Sequence, residues 1–170
     1  MPYERNINRI GFGGGCHWCT EAVFDSLCGV SHVEQGFIKS NAPHDSFSEA
    51  VIVSFDPNLI GLSVLTDIHL RTHASGSNHS MRGKYRSAVY VKGAAQHEEA
   101  QMVLKELSTV FETPRITQIL KHVAFKPSED RFQNYYKTGP DRPFCKTYID
   151  PKLTQLRERY GAYYRALDKV

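Results

Sequence analysis

The sequence predicts an α+β fold: a ferredoxin-like (split βαβ) two-layer sandwich with helices on one sheet face, then an irregular C-terminal extension and a terminal helix. Three observations predict it. Segments up to Val91 fall in the order strand, helix, strand, strand, helix, strand. Residues 47–55 alternate as a strand, with Val51, Val53 and Phe55 on one face. Leu62, Leu65, Ile68 and His69 are spaced for one face of a helix over 62–72.

The first strand is expected over 9–12, and the glycine run Gly13-Gly14-Gly15 ends it. A helix over 17–27 follows, with Trp18, Ala22, Val23 and Leu27 as its apolar stripe and Gly29 as its stop. Strands are expected over 30–38 and 47–55, with Asp56-Pro57-Asn58 as a closing turn. After the helix over 62–72 comes a polar loop over 74–83, then a strand over 87–91 and a helix over 94–109. Beyond Pro114 the pattern weakens. A strand is expected over 116–123, a helix start capped by Ser128, an irregular stretch over 138–143, and a final helix over 151–166.

The 170 residues are read as one domain over 1–170, long enough for a substantial core. Hydrophobic content of 41% and charged content of 23% are ordinary for a soluble globular protein. A net charge of +3 without a basic run gives no support for nucleic acid or a membrane surface as partner. No apolar run approaches membrane-spanning length, and the start lacks the apolar stretch of a secretory signal. The expected compartment is the reducing cytoplasm. Four cysteines there point to catalysis, metal or burial before a disulfide framework.

The chemistry centres on Gly13-Gly14-Gly15-Cys16-His17-Trp18-Cys19, a strand–turn–helix with a thiol at the helix mouth. The partial positive charge of a helix N-terminus favours the thiolate, which is the reactive form. Cys16 is therefore read as a nucleophile. Cys19 lies near the same helix face; the pair could be a redox couple or half a zinc site. No second Cys-x-x-Cys or His-x-x-x-His completes a zinc site, and His17 is expected to point to another face. Cys28 is expected to be buried. Glu49 shares its strand face with Val51, Val53 and Phe55; a carboxyl there would stay protonated more readily and act as an acid, unless it is only an exposed strand start. Tyr85 is either a phenol at the site or a rim residue, and Trp18 either core or a pocket wall. Cys145 stands in an irregular stretch, where Arg142 and Lys146 would favour its thiolate and a flexible tail could carry it to another thiol.

Together these pieces resemble the peptide methionine sulfoxide reductase A family. Its Gly-Cys-Phe-Trp turn stands here as Gly15-Cys16-His17-Trp18, its acidic strand motif as Ser48-Glu49-Ala50-Val51, and its Tyr-Arg-Ser strand entry as Tyr85-Arg86-Ser87. Its C-terminal aromatic-cysteine pair is similar to Phe144-Cys145, and the resemblance covers about residues 8–150. The chain departs at His17 (phenylalanine in the family), at Phe37 (a tyrosine), and before Tyr85, where Ser80 or its neighbours His79 and Met81 replace an aspartate. The loop between Phe37 and Glu49 is also short, which marks a divergent branch.

The resemblance implies reduction of methionine S-sulfoxide, free or in proteins, without a metal or organic cofactor. Cys16 would attack the sulfoxide sulfur and Glu49 would protonate its oxygen. Trp18, His17, Phe37, Tyr85 and Ser80 would form the substrate pocket. Cys145 or Cys19 would then condense with the Cys16 sulfenic acid, and thioredoxin would reduce the disulfide. The chain is expected to act as a monomer. Two other readings remain at this point: a thioredoxin-like dithiol oxidoreductase using Cys16 and Cys19, and a non-catalytic sulfoxide-binding relative.

Overall fold

The computed structural model describes residues 6–78 and 80–167. Its architecture is mixed α+β, built on a six-stranded sheet. Strands β1 (Asn8–Gly13), β2 (Val30–Lys39), β3 (Ser48–Phe55), β4 (Ala88–Val91), β5 (Gln118–Lys121) and β6 (Ala124–Pro127) lie in the order β5-β4-β1-β3-β2-β6. Only the β4–β5 pairing is parallel. The helices are α1 (His17–Asp25), α2 (Leu62–Thr72), α3 (Ala94–Ser108), α4 (Tyr135–Thr138) and α5 (Asp150–Arg159).

The period of two in β3 sorts its residues between two clusters. Val51, Val53 and Phe55 join the main core with residues of α1, α2, α3 and α5. Ala50 and Ile52 face the opposite side with Ile38, Ala88 and Tyr90. Phe12 of β1 stacks on Phe24 of α1 with ring centroids 4.7 Å apart, which anchors α1 under the sheet. Burying two phenylalanines removes a large apolar area from water, and their contact adds about 0.5–1.5 kcal/mol.

Register places the site. Gly13 ends β1 opposite Ala50 on one side and Ala88 on the other. Glu49 therefore sits one residue beyond the end of β1, alongside the glycine turn. Phe37 is its direct partner across β2 and β3, so both side chains leave the same sheet face.

Several elements depart from the sequence pattern. Helix α1 stops at Asp25, where Ser26 turns its hydroxyl back onto the Val23 carbonyl at 2.7 Å. The chain then passes Gly29 at φ +94° before β2 begins. Cys28 is exposed, not buried. The strand expected over 116–123 covers only Gln118–Lys121, and β6 follows it as an unforeseen edge partner of β2. The final helix starts at Asp150 and ends at Arg159, short of the expected 166. It grows directly out of a π-helical turn, Cys145–Ile149, so the stretch around Cys145 is ordered and packed against α1. Ser128 caps no helix, and its role is described below. No helix among the described residues is long and apolar enough to cross a membrane.

Candidate active site

The turn after β1 is shaped by what lies behind it. Gly14 has φ +156°, and a Cβ there would fall 2.5 Å from the His73 ring. Only glycine lets the backbone pass that close. His73 belongs to a buried polar chain. His69 Nε2–H donates to the Gly13 carbonyl at 2.7 Å, and the Ser87 hydroxyl donates to His73 Nε2 at 2.8 Å. Ser87 in turn lies 2.8 Å from the Thr117 hydroxyl. Burial pushes the His69 pKa down to about 4 and lowers that of His73 well below the usual imidazole range, so both rings are neutral near pH 7. From the front, Arg82 donates to the Gly14 carbonyl at 2.8 Å. The turn is thus held from both sides.

Cys16 follows as the N-cap of α1, half-buried, with its carbonyl accepting from the N–H groups of Cys19 at 3.1 Å and Thr20 at 3.2 Å. Its thiol pKa is lowered to about 5. The largest cause is hydrogen bonding from the Cys19 thiol. Burial opposes it, the His17 ring and the Trp18 backbone N–H add to it, and the Glu49 charge opposes it. Cys19 shifts the other way, upward, because its proton is held against the Cys16 thiolate and burial disfavours its own charge.

His17 does not point away. It is buried, with Nδ1 2.8 Å from Glu49 Oε1 and Nε2 3.2 Å from the Ser128 hydroxyl. The first turn of a helix splays outward, and here β3 arrives close enough to meet the side chain at its first position. Burial alone would lower the imidazole pKa; the Cys16 and Glu49 groups beside the ring raise it overall. The Nδ1 contact with Glu49 is close but off the line of a hydrogen bond, and Nδ1 has no aligned partner among the described residues. Glu49 is 5% exposed, not a loose strand start. Its Oε1 accepts the His17 backbone N–H at 3.4 Å, and Lys84 Nζ stands 3.8 Å from Oε2.

Cys16, His17 and Glu49 bring three donor atoms within 4.8 Å of one another. Two ligands of one tetrahedral zinc ion stand roughly 3.3 Å apart at bond lengths of about 2.0–2.2 Å. The 2.8 Å between His17 and Glu49 is spaced for a charged pair facing each other.

The aromatic residues close around this trio. The Phe37 ring centroid is 5.2 Å from that of His17, tilted, and the Trp18 ring stacks loosely on His17 at 6.2 Å. Trp18 is half-buried against Tyr135, parallel at 4.1 Å, and meets the Phe144 ring edge-on at 5.2 Å. Tyr85 lines a cavity of about 190 Å³ with Gly14, Gly15, Cys16, Cys19 and Lys152. The Lys84 carbonyl accepts the Glu49 N–H at 3.0 Å, which sets Tyr85 beside the carboxyl strand. A larger cavity of about 500 Å³, between Arg82 and Arg86, does not include Cys16. The Ser80 side chain and His79 lie outside the described residues, and Met81 is exposed.

Cys145 is fully buried in the same core cluster as Cys19. Burial raises its thiol pKa, and Asp150 adds to this, so Arg142 and Lys146 do not make it a thiolate. Its order and burial replace the expected swinging tail.

Two supports escaped the sequence. Ser128 reaches His17 from the segment after β6. Glu21, buried on α1, accepts from Gln35 Nε2 at 3.0 Å and from the backbone N–H groups of Asn134 and Tyr135, each at 3.1 Å. It thereby fixes Tyr135 on Trp18. A signal for Glu21 was present: it follows Trp18 by three residues and adjoins Ala22, so it lies on the apolar stripe.

Residues 8–163 match the family described as "Peptide methionine sulfoxide reductase". A peptide methionine sulfoxide reductase MsrA of Deinococcus radiodurans is 37% identical over 166 residues, covering 88% of this chain and 81% of that protein. One from Ralstonia nicotianae is 33% identical, covering 95% of each. Among solved structures, the reduced form of Mxr1 from Saccharomyces cerevisiae is similar with a TM-score of 0.67 and 22% identity, covering 84% of this chain and 91% of that one. Mxr1 has also been solved in complex with Trx2; there the TM-score is 0.60, with 22% identity over 79% of this chain and 89% of that one.

Proposed function

The chain belongs to the peptide methionine sulfoxide reductase family, and we propose that Cys16 is the thiolate that takes the sulfoxide oxygen. The protein is a peptide-methionine (S)-S-oxide reductase: it reduces methionine S-sulfoxide to methionine at the expense of thiols. One observation carries the assignment of residues. Cys16 stands at the open end of α1 within 4.8 Å of buried His17 and Glu49 donors.

Cys16 attacks the substrate sulfur. Glu49, 2.8 Å from the His17 ring, keeps that ring turned toward the oxygen as it gathers negative charge. Trp18, Phe37 and the edge of His17 hold the methyl group, and Tyr85 contacts the oxygen side from the cavity at Cys16. Methionine leaves, and Cys16 becomes a sulfenic acid.

Cys19 is the first resolving thiol in this reading, supported by its hydrogen bond to Cys16. What raises its pKa is mainly the Cys16 thiolate, and that charge is gone once the sulfenic acid forms. Condensation gives a Cys16–Cys19 disulfide and water. Cys145, packed in the same cluster, receives the disulfide by exchange. A thioredoxin-type dithiol protein then reduces it, and free cysteines of this kind fit the reducing cytoplasm. The inner strand order β4-β1-β3-β2 supports a split βαβ reading of the fold, with β5 and β6 added at the edges of one domain.

A single-turnover assay tests this. Reduced protein mixed with methionine S-sulfoxide should lose two thiols per methionine formed, with the first disulfide mapping to Cys16 and Cys19. Cys16→Ser should lose none. Methionine formed at the wild-type rate by Cys16→Ser would contradict the assignment.

A further inference from the structure

We propose that His17 is a catalytic acid in this chain: its Nδ1 proton is the one delivered to the sulfoxide oxygen. The proposal deepens the reading of Cys16 as nucleophile and rests on it. Geometry carries it. Nδ1 is buried and 2.8 Å from Glu49 Oε1, yet its N–H has no in-line acceptor among the described residues. A buried donor without a partner costs free energy until an acceptor arrives. The other ring nitrogen is occupied by Ser128 at 3.2 Å, which fixes the ring plane. A substrate oxygen between Cys16 and Glu49 completes the missing bond.

The surroundings keep that proton on the ring. Facing His17 are the Cys16 thiol and the Trp18 indole from α1, the Glu49 carboxyl from β3, Phe37 from β2 and Ser128 from the segment after β6. Among the described residues, the cations at the site's edge include Lys84, which is exposed and stands 3.8 Å from Glu49, and Lys152, which lines the cavity at Cys16. Burial opposes a charged imidazole, but the thiolate and the carboxylate together hold its pKa above the usual value.

The cycle balances. In the resting site the Cys16 proton resides on His17. The Cys16 thiolate, the sulfoxide and the imidazolium proton become Cys16 sulfenic acid and the thioether, with neutral His17 left behind. A bond forms between oxygen and the Cys16 sulfur, and the substrate sulfur–oxygen bond breaks. Two electrons pass from Cys16 to the substrate sulfur. Condensation with the Cys19 thiol releases water and leaves His17 neutral. Exchange with the Cys145 thiol frees Cys16 as a thiolate and releases the Cys145 proton, which recharges His17; a dithiol then reduces the Cys19–Cys145 disulfide and returns both as thiols.

The test measures single-turnover thiol loss against pH in wild type, His17→Phe and His17→Gln, beside an NMR titration of the His17 ring in the wild type. The wild-type rate should fall on the alkaline side with the same midpoint as the ring titration. Both variants should lose that limb and slow by tenfold or more at pH 7, in keeping with the roughly 10²–10⁴ a positioned acid supplies. An alkaline limb that persists in the variants, or a ring that titrates without affecting the wild-type rate, overturns the proposal while leaving Cys16 as nucleophile. Wild-type protein that loses no thiol to the sulfoxide overturns the underlying reading instead. The ring titration needs no variant, so a substitution that fails to fold does not remove the test.

Discussion

Replacing Cys19 with alanine should disarm Cys16 before any substrate is present. The Cys16 pKa of about 5 means about 99% thiolate at pH 7, against about 1% for a thiol left at 9.0. Hydrogen bonding from Cys19 is the largest contribution to that drop; burial and the Glu49 charge push the other way. Without it, only the His17 ring and the Trp18 N–H still favour the thiolate. The midpoint should therefore rise by at least about one unit, and the pH 6 thiolate fraction should fall measurably. Cys19→Ser keeps a donor of similar reach, so its midpoint should lie between those of wild type and Cys19→Ala. The assay is the rate of Cys16 alkylation against pH, with the modified peptide identified by mass. It reads Cys16 alone, whatever Cys19 does later in turnover. A Cys19→Ala midpoint within about 0.3 units of wild type would refute the claim that Cys19 holds Cys16 as thiolate.

Two other perturbations follow from the geometry. Glu49→Gln should retain more sulfoxide reductase activity than Glu49→Ala, because an amide oxygen still faces the His17 ring and holds it in place; equal activity of both with wild type removes Glu49 from the mechanism. Stability should decline with acid. His69 binds its proton in the unfolded chain near pH 6.5 but in the folded chain only near 4, so its contribution is complete above 6.5 and lost as pH falls towards 4. His69 alone accounts for about 3 kcal/mol over that range, and His73 acts in the same direction. Urea unfolding at pH 7.5, 6 and 4.5 reads this directly, and a flat profile would show that these rings are not buried neutral.

The sequence was most informative where one period dominated. Alternation in β3 and the spacing of α2 were legible because each buries one continuous face. The position of Glu49 on the apolar side of β3 followed from the same alternation. The region after Pro114 was less legible because its elements are short and held by distant partners. Strand β6 is four residues that pair with β2, and the turn at Cys145 is stabilised by packing on α1. Local propensity has little to say about either. Polar residues were misjudged for a related reason. His17, Ser128 and Glu21 look solvated in a sequence, and only the approach of β3 and of the segment after β6 buries them together. Cys28 erred in the opposite direction: after α1 ends at Asp25, the chain turns outward before β2.

The most direct measurement follows the oxygen itself. Reduced protein lacking Cys19 and Cys145, both replaced by serine, is given methionine S-sulfoxide labelled with heavy oxygen. The sulfenic acid cannot condense and should persist long enough for intact mass analysis of the peptide containing Cys16. The account predicts one heavy oxygen on Cys16 for each methionine formed. Methionine produced with Cys16 unmodified, or with the label on Cys28, would contradict it.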